Sequence, residues 1–282
     1  MGSGWLRHGG GLELTAQLRA HDAIRDRRSP RRGATARHFG GRAESREWQL
    51  QAWSRGSPDD GAPSVIGKSS DEREQQRRSL WAYYDRRVTG RLPGLANAHA
   101  YWTGLGVTAE LEDIATEAAQ LERLLGELSA VRFVEAGAGP GTFTRYLAGR
   151  GIAIDQSRRA LDVLRTDAPG VPVIQADATL LPLGSHAVDR YFSAHLYGLL
   201  LPGERESFLA EAHRVASEVV ILDAGCPEGV NAEEWQERTL PGGDHYRVFR
   251  RHFDADALAA EVGGVVLFAG QFYVLVSTAA VS

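Results

Sequence analysis

Hydrophobic periodicity along this chain changes character twice. From Ser70 the pattern is helical, with a charged run from Asp71 to Arg78 leading into Leu80, Trp81, Tyr83 and Tyr84. Leu111, Ile114, Ala118, Leu121 and Leu125 then recur at spacings of three and four, which gives one apolar face and predicts a helix over 107–128. Beyond residue 130, short β-rich runs alternate with helical stretches. Strands are predicted at Val131 to Ala136, Gly151 to Asp155, Val171 to Gln175, Val188 to Ser193 and Glu218 to Asp223, with helices at 141–149, 157–167 and 203–216. This alternation is the mark of an α/β domain with a parallel sheet. The end of the chain differs. A helix over 254–262 is followed by two strands, Gly264 to Phe268 and Phe272 to Ser277, joined by a tight Ala269-Gly270 turn, so these strands must run antiparallel. Between the fifth strand and that helix, Gly242-Gly243 and the alternation Tyr246-x-Val248 predict a hairpin cap within 228–252.

Composition separates a tail from this domain. Residues 1–60 contain seven Leu, Ile, Val or Phe, too few to sustain a core, and 11 arginines against 7 acids. Residues 1–65 are therefore expected to be a disordered basic extension. Met1 is the one methionine, and 31 arginines stand against the single Lys68. The tail is accordingly also readable as upstream sequence translated from a wrongly chosen start. The domains expected are this tail, a helical lid over 66–130, and a core over 131–282 that carries the cap. Over all 282 residues the formal net charge is -4 and the pI about 6.2, which gives no field to draw the molecule onto nucleic acid or an anionic membrane. The single cysteine, Cys226, excludes an internal disulfide. No apolar run approaches the roughly 18 residues of a membrane span. A soluble, cytoplasmic protein acting on a small molecule is expected, with its oligomeric state left open.

The most informative stretch is Val134-Glu135-Ala136-Gly137-Ala138-Gly139-Pro140-Gly141-Thr142-Phe143, running out of the first predicted strand. A dinucleotide fingerprint, counted from Gly137, would need a third glycine where Thr142 stands. A phosphate loop would need a Gly-Lys pair, and no lysine follows Lys68. The remaining pattern, Glu135-x-Gly137-x-Gly139-x-Gly141, resembles the first motif of class I S-adenosylmethionine-dependent methyltransferases of the small-molecule type. Asp155, closing the second strand 20 positions after Glu135, stands where that family places an acid on the ribose hydroxyls; its alternative reading is an N-cap for the following helix. Gln175-Ala176-Asp177-Ala178 resembles the stretch whose acid accepts from the adenine amino group, with Ala178 giving a backbone donor to the ring. Acids at successive strand ends suit a ligand carrying sulfonium and ammonium charges. The resemblance implies a Rossmann-like, mostly parallel seven-stranded sheet with an antiparallel C-terminal strand, helices on both faces and a helical N-terminal lid. It implies S-adenosyl-L-methionine as cofactor, held by Glu135, Gly137, Ala138, Gly139, Gly141, Asp155, Gln156, Asp177, Ala178 and Ser193, and S-adenosyl-L-homocysteine as product.

Val188 to Tyr197 resembles the family's fourth strand, whose end lies beside the transferred methyl. His195 is there the candidate general base, with a pocket wall as its plainer role. Tyr83, Tyr84 and Asp85 resemble the aromatic-acid pair of a lid helix, and the tyrosines are expected either to close over the sulfonium or to pack with Trp81 and Trp102. Cys226 is read as inert, and His99, His186 and His213 lack metal-site spacing. Two alternatives stay open: an NAD(P)-dependent oxidoreductase, and a non-catalytic S-adenosylmethionine-binding protein.

Overall fold

Among the described residues three helices precede the first strand: α1 (Ser70–Arg87), α2 (Gly94–Gly104) and α3 (Leu111–Glu127). Then follow β1 (Val131–Ala136), β2 (Gly149–Asp155), α4 (Arg158–Asp167), β3 (Val173–Gln175), β4 (Val188–Ala194), α5 (Pro202–Val215) and β5 (Ala216–Ala224). The hairpin β6 (Glu233–Thr239) and β7 (His245–Arg251), α6 (Ala255–Val262), β8 (Val265–Ala269) and β9 (Tyr273–Ser277) complete the order. This computed structural model describes residues 70–87, 94–128, 130–147, 149–240 and 242–278, all in the unit Ser64–Ser282. The basic tail over 1–65 and the first residues of the expected lid lie outside the described residues.

Seven strands form one sheet in the order β3-β2-β1-β4-β5-β9-β8, parallel except for β9, which runs antiparallel to both neighbours. Alternation along each strand divides the core between the two faces. Val134, Tyr191, Val219, Ile221, Val274 and Val276 pack with Phe208, Ala212 and Val215 of α5 and Leu258 and Val262 of α6. Phe192, Val220, Leu222 and Leu275 face the other way, onto Leu121 and Leu125 of α3. The predicted apolar face of α3 thus becomes the cover of one sheet face, although the helix begins at Leu111 and not at 107.

One predicted element is absent. Among the described residues of 141–149 no α-helix forms; the segment makes a turn and a single 3-10 turn, Thr144–Tyr146, and β2 starts at Gly149. The physical reason is conformational. Gly137, Gly139 and Gly141 all have positive φ, which breaks a right-handed helix before it starts. Only residues 137–148 connect β1 to β2, and the return to the foot of the sheet consumes the rest. Phe143, Tyr146 and Leu147 fill the place of a helix against the α3 layer.

The predicted cap is a two-stranded hairpin, with Trp235 paired to Phe249 and Arg238 to Tyr246. It meets α1, where Tyr83 packs on Tyr246 at 5.6 Å and Arg86 donates to Asp244 Oδ2 at 2.9 Å. Among the described residues no helix is long and apolar enough to cross a membrane.

Candidate active site

The ends of β1, β2, β4 and β5 meet at one edge of the sheet, on either side of the point where strand order reverses between β1 and β4. The glycine loop leaves β1 there. The N–H groups of Gly137 and Ala138 both donate to Ile154 O, at 2.9 and 3.0 Å, which ties the loop to β2. A Cβ on Gly137 would lie 2.8 Å from Leu196 Cδ2, so this glycine permits close packing behind the loop. Gly139 differs: a Cβ there would meet nothing within 4 Å. At Gly139 the loop turns its outer surface to space that no side chain of the described residues fills.

Asp155 organises this loop from the end of β2. Its Oδ2 accepts from Gly139 N at 2.8 Å, and its Oδ1 from Ser157 N at 2.7 Å. Burial raises its pKa, and the backbone N–H groups of Ser157, Gly139 and Gln156 oppose the rise. The N-cap of α4 is Ser157, whose Oγ accepts from Ala160 N at 3.1 Å and donates to Asp85 Oδ1 of α1 at 2.6 Å. The cap reading of Asp155 is therefore corrected: the hydroxyl two residues on does that work, because Asp155 is still in the strand.

Glu135 and Ser193 lie behind the loop. Glu135 is 1% exposed and takes a short hydrogen bond from the Thr144 hydroxyl. Burial pushes its carboxyl up to about 8, against the Thr144 bond and with a smaller push from Asp155. Ser193 is buried and donates to Ala136 O at 3.0 Å across to β1. Gln156 presents its backbone oxygen to Gln175 Nε2 at 2.9 Å. Asp177 follows β3 and is engaged by Arg77 of α1 and, through Oδ1, by Thr179 N and Oγ1 at 2.9 and 2.8 Å. Ala178 is buried beside it, its carbonyl accepting from Tyr191 at 3.2 Å.

His195 stands just past β4, as expected, and its backbone has φ 55°. Left-handed geometry is uncommon for a residue with a Cβ, though histidine adopts it more readily than most. The turn aims the ring between Phe143 of the loop and Tyr273 of β9, at centroid distances of 5.6 and 5.7 Å. Its side chain remains 34% exposed, and Nδ1 lies 3.7 Å from Asp223 Oδ1. Asp223, fully buried at the end of β5, is the partner that sequence reading missed. It accepts from Gly198 N at 2.8 Å, Ala224 N at 2.8 Å and Arg250 Nη2 at 2.7 Å. Burial would raise its pKa, but the Arg250 charge, His195 and the Gly198 N–H outweigh this and bring it down to about 2. Asp223 is thereby held toward its ionised form behind the imidazole. The signal for it was an acid closing an apolar strand, Val219 to Leu222, as Asp155 closes β2.

Tyr83 is buried among Leu199, Tyr246 and Val248, with Tyr84 edge-on at 5.0 Å. Trp81 is 41% exposed, and Trp102 packs on His252 and Phe272. Cys226 is half-buried with its thiol pKa raised by burial. Among the described residues no group of three or more His, Cys, Asp or Glu has the arrangement to hold a metal ion.

Comparison with known proteins bears on this edge. Residues 134–218 match the family described as "Methyltransferase domain". None of the curated proteins matches the sequence. Among solved structures, DhpI in complex with SAH and DhpI in complex with SAM and HEP are each 21% identical, with a TM-score of 0.54 over 72% of this chain and 96% of DhpI. A 1,6-didemethyltoxoflavin-N1-methyltransferase from Burkholderia thailandensis is 15% identical, with a TM-score of 0.45 over 76% of this chain and 92% of that one. The DhpI likeness establishes a common fold, and the matched segment covers the glycine loop, Asp155, Asp177 and His195. Residues 134–218 are thus similar to a methyltransferase domain, set within a seven-stranded, mostly parallel sheet of the fold shared with DhpI.

Proposed function

We propose that this domain methylates a small organic acceptor, with His195 as general base and Asp223 positioning it. The observation that carries the small-molecule reading is the roof over the site. The β6–β7 hairpin and α1 meet through Tyr83–Tyr246 and Arg86–Asp244, on the side of the sheet edge where Asp223 reaches Arg250. A covered site of this kind admits a metabolite more readily than a folded macromolecule.

The loop fits S-adenosylmethionine by its open surface at Gly139 and by the carboxylates of Asp155 and Asp177 on the two following strand ends. The DhpI complexes with SAM and SAH support the same cofactor. The two Asp155 oxygens offer about four acceptor positions and receive the backbone N–H groups of Gly139, Ser157 and Gln156, which leaves room for a ribose hydroxyl. Bound there, the cofactor supplies a methyl on a sulfonium with a neutral thioether as leaving group. The protein's work is alignment, exclusion of water and handling of a proton. With Nδ1 turned to Asp223, Nε2 is the ring atom left to take a proton from the acceptor, and the buried carboxylate stabilises the imidazolium that results. Phe143 and Tyr273 fix the ring plane.

Incubating the full chain with methyl-labelled S-adenosylmethionine and a cell extract tests this directly. Label is expected in the low-molecular-mass fraction. Label confined to protein or nucleic acid would overturn the small-molecule reading.

A further inference from the structure

The face that the hairpin turns toward α1 is more polar than a lid requires. Cross-strand register sets Glu234 opposite Arg250, Gln236 opposite Val248 and Arg238 opposite Tyr246, and strand alternation puts all six side chains on one face. Arg250 is 5% exposed and gives Nη2 to Asp223, yet its Nε is buried with no acceptor among the described residues. An unpaired buried donor is costly, and native proteins keep few of them. Arg238 lies over the rings of Tyr83 and Tyr101 at 5.5 and 5.6 Å, hydrogen-bonds the Tyr83 side chain, and donates through Nε and Nη2 to the neutral Gln236 Oε1, so each of these acceptors is uncharged. Among the described residues no carboxylate comes within ion-pair reach of Arg238, and Asp223 alone does so for Arg250. Glu234, the remaining acid on this face, accepts instead from Gln236 Nε2.

Two guanidinium groups thus converge beneath the lid with donors in excess of acceptors. Asp223 Oδ1 is shared between Arg250 and His195, so these donors adjoin the imidazole. We propose that Arg238 and Arg250 form an oxyanion subsite, so that the molecule methylated is a small acid bearing a carboxylate or a phosphorus oxyanion. The inference rests on the methyltransferase reading and adds the acceptor's chemical class to it. A planar guanidinium suits either anion by paired N–H donors, and the buried setting strengthens the contact. Anchoring the acid there holds the rest of the molecule against His195 and the glycine loop, which is the alignment an in-line displacement needs.

The test is calorimetry on the full chain saturated with S-adenosylhomocysteine, titrated with propionate and with methylphosphonate against chloride and methylammonium controls at equal ionic strength. Saturable binding of at least one of the two acids is expected, and which one binds distinguishes the carboxylate from the phosphorus source. Arg238→Gln should weaken that binding at least tenfold while leaving S-adenosylhomocysteine affinity within about twofold. Arg250→Lys keeps a cation against Asp223 but removes the orphaned Nε–H, and should weaken the acid similarly. If S-adenosylhomocysteine binds but neither acid does, or if acid binding survives Arg238→Gln, the subsite is overturned and the methyltransferase reading stands. Loss of S-adenosylhomocysteine binding in the unaltered chain would remove that reading and the subsite together.

Discussion

Glu135 shows how far burial changes what a motif residue does. The sequence pattern places it as a cofactor ligand, yet its carboxyl is sealed behind the loop on the Thr144 hydroxyl and has a pKa of about 8. Between the ordinary value near 4.5 and 8, the folded state holds a proton that the unfolded chain has released, so stability falls as pH rises through that window. Glu135→Gln keeps an acceptor for Thr144 and removes the titration. Urea denaturation should find this variant more stable than the parent at pH 9, on the order of a few kcal/mol, with the gap closing toward pH 5. A constant difference across that range would place the proton elsewhere. His195 offers a second test, because its φ of 55° favours glycine. His195→Gly should be more stable than His195→Ala by roughly 1 kcal/mol, the cost of a Cβ in left-handed geometry. Both variants should lose turnover by about 10² to 10⁴ if the imidazole is the base. Asp223 and Arg250 escaped the sequence reading because they are 27 residues apart and join only when the hairpin folds back on β5. The Tyr246-x-Val248 alternation, extended by one step, already put Arg250 on the inward face.

Element by element, what was legible followed from period. The three-and-four spacing of α3, the apolar strands and the closing antiparallel pair all carry local signals, and packing shifted their ends by a few residues without changing their type. The crossover after β1 failed because strand–helix alternation was extended over a segment whose glycines and length forbid a helix. Tertiary ties of α1 were equally out of reach, since they run from one helix to three separate elements. Arg77 holds Asp177, Asp85 takes the Ser157 hydroxyl, and Arg86 reaches Asp244. The first of these sets lid against cofactor, because the carboxylate expected to accept from adenine is already paired. Arg77→Gln should therefore tighten S-adenosylhomocysteine binding about two- to fivefold by calorimetry, a modest gain because the pair is partly exposed to solvent. Weaker binding would show instead that the Arg77–Asp177 contact orders the site for the ligand.

At the scale of the whole molecule, the site draws on β1, β2, β4, β5, the hairpin and α1, so occupancy couples to global stability. A ligand present at 100 times its Kd stabilises the native state by about 2.7 kcal/mol. For a domain of this size S-adenosylhomocysteine at that ratio should raise Tm by about 5 to 10 °C, readable by differential scanning fluorimetry. A shift below 2 °C at that ratio would mean that the ligand does not select the native fold over the unfolded chain. The short connection between β1 and β2 has a consequence for which ligands the junction refuses. Where a glycine loop opens a long helix, the aligned peptide dipoles place about half a positive charge at the loop, and a pyrophosphate settles there readily. A single 3-10 turn of Thr144–Tyr146 sums to almost no macrodipole. Without that helix the backbone builds little positive field at the loop to draw a diphosphate, and the Asp155 carboxylate at the end of β2 sets the local sign instead.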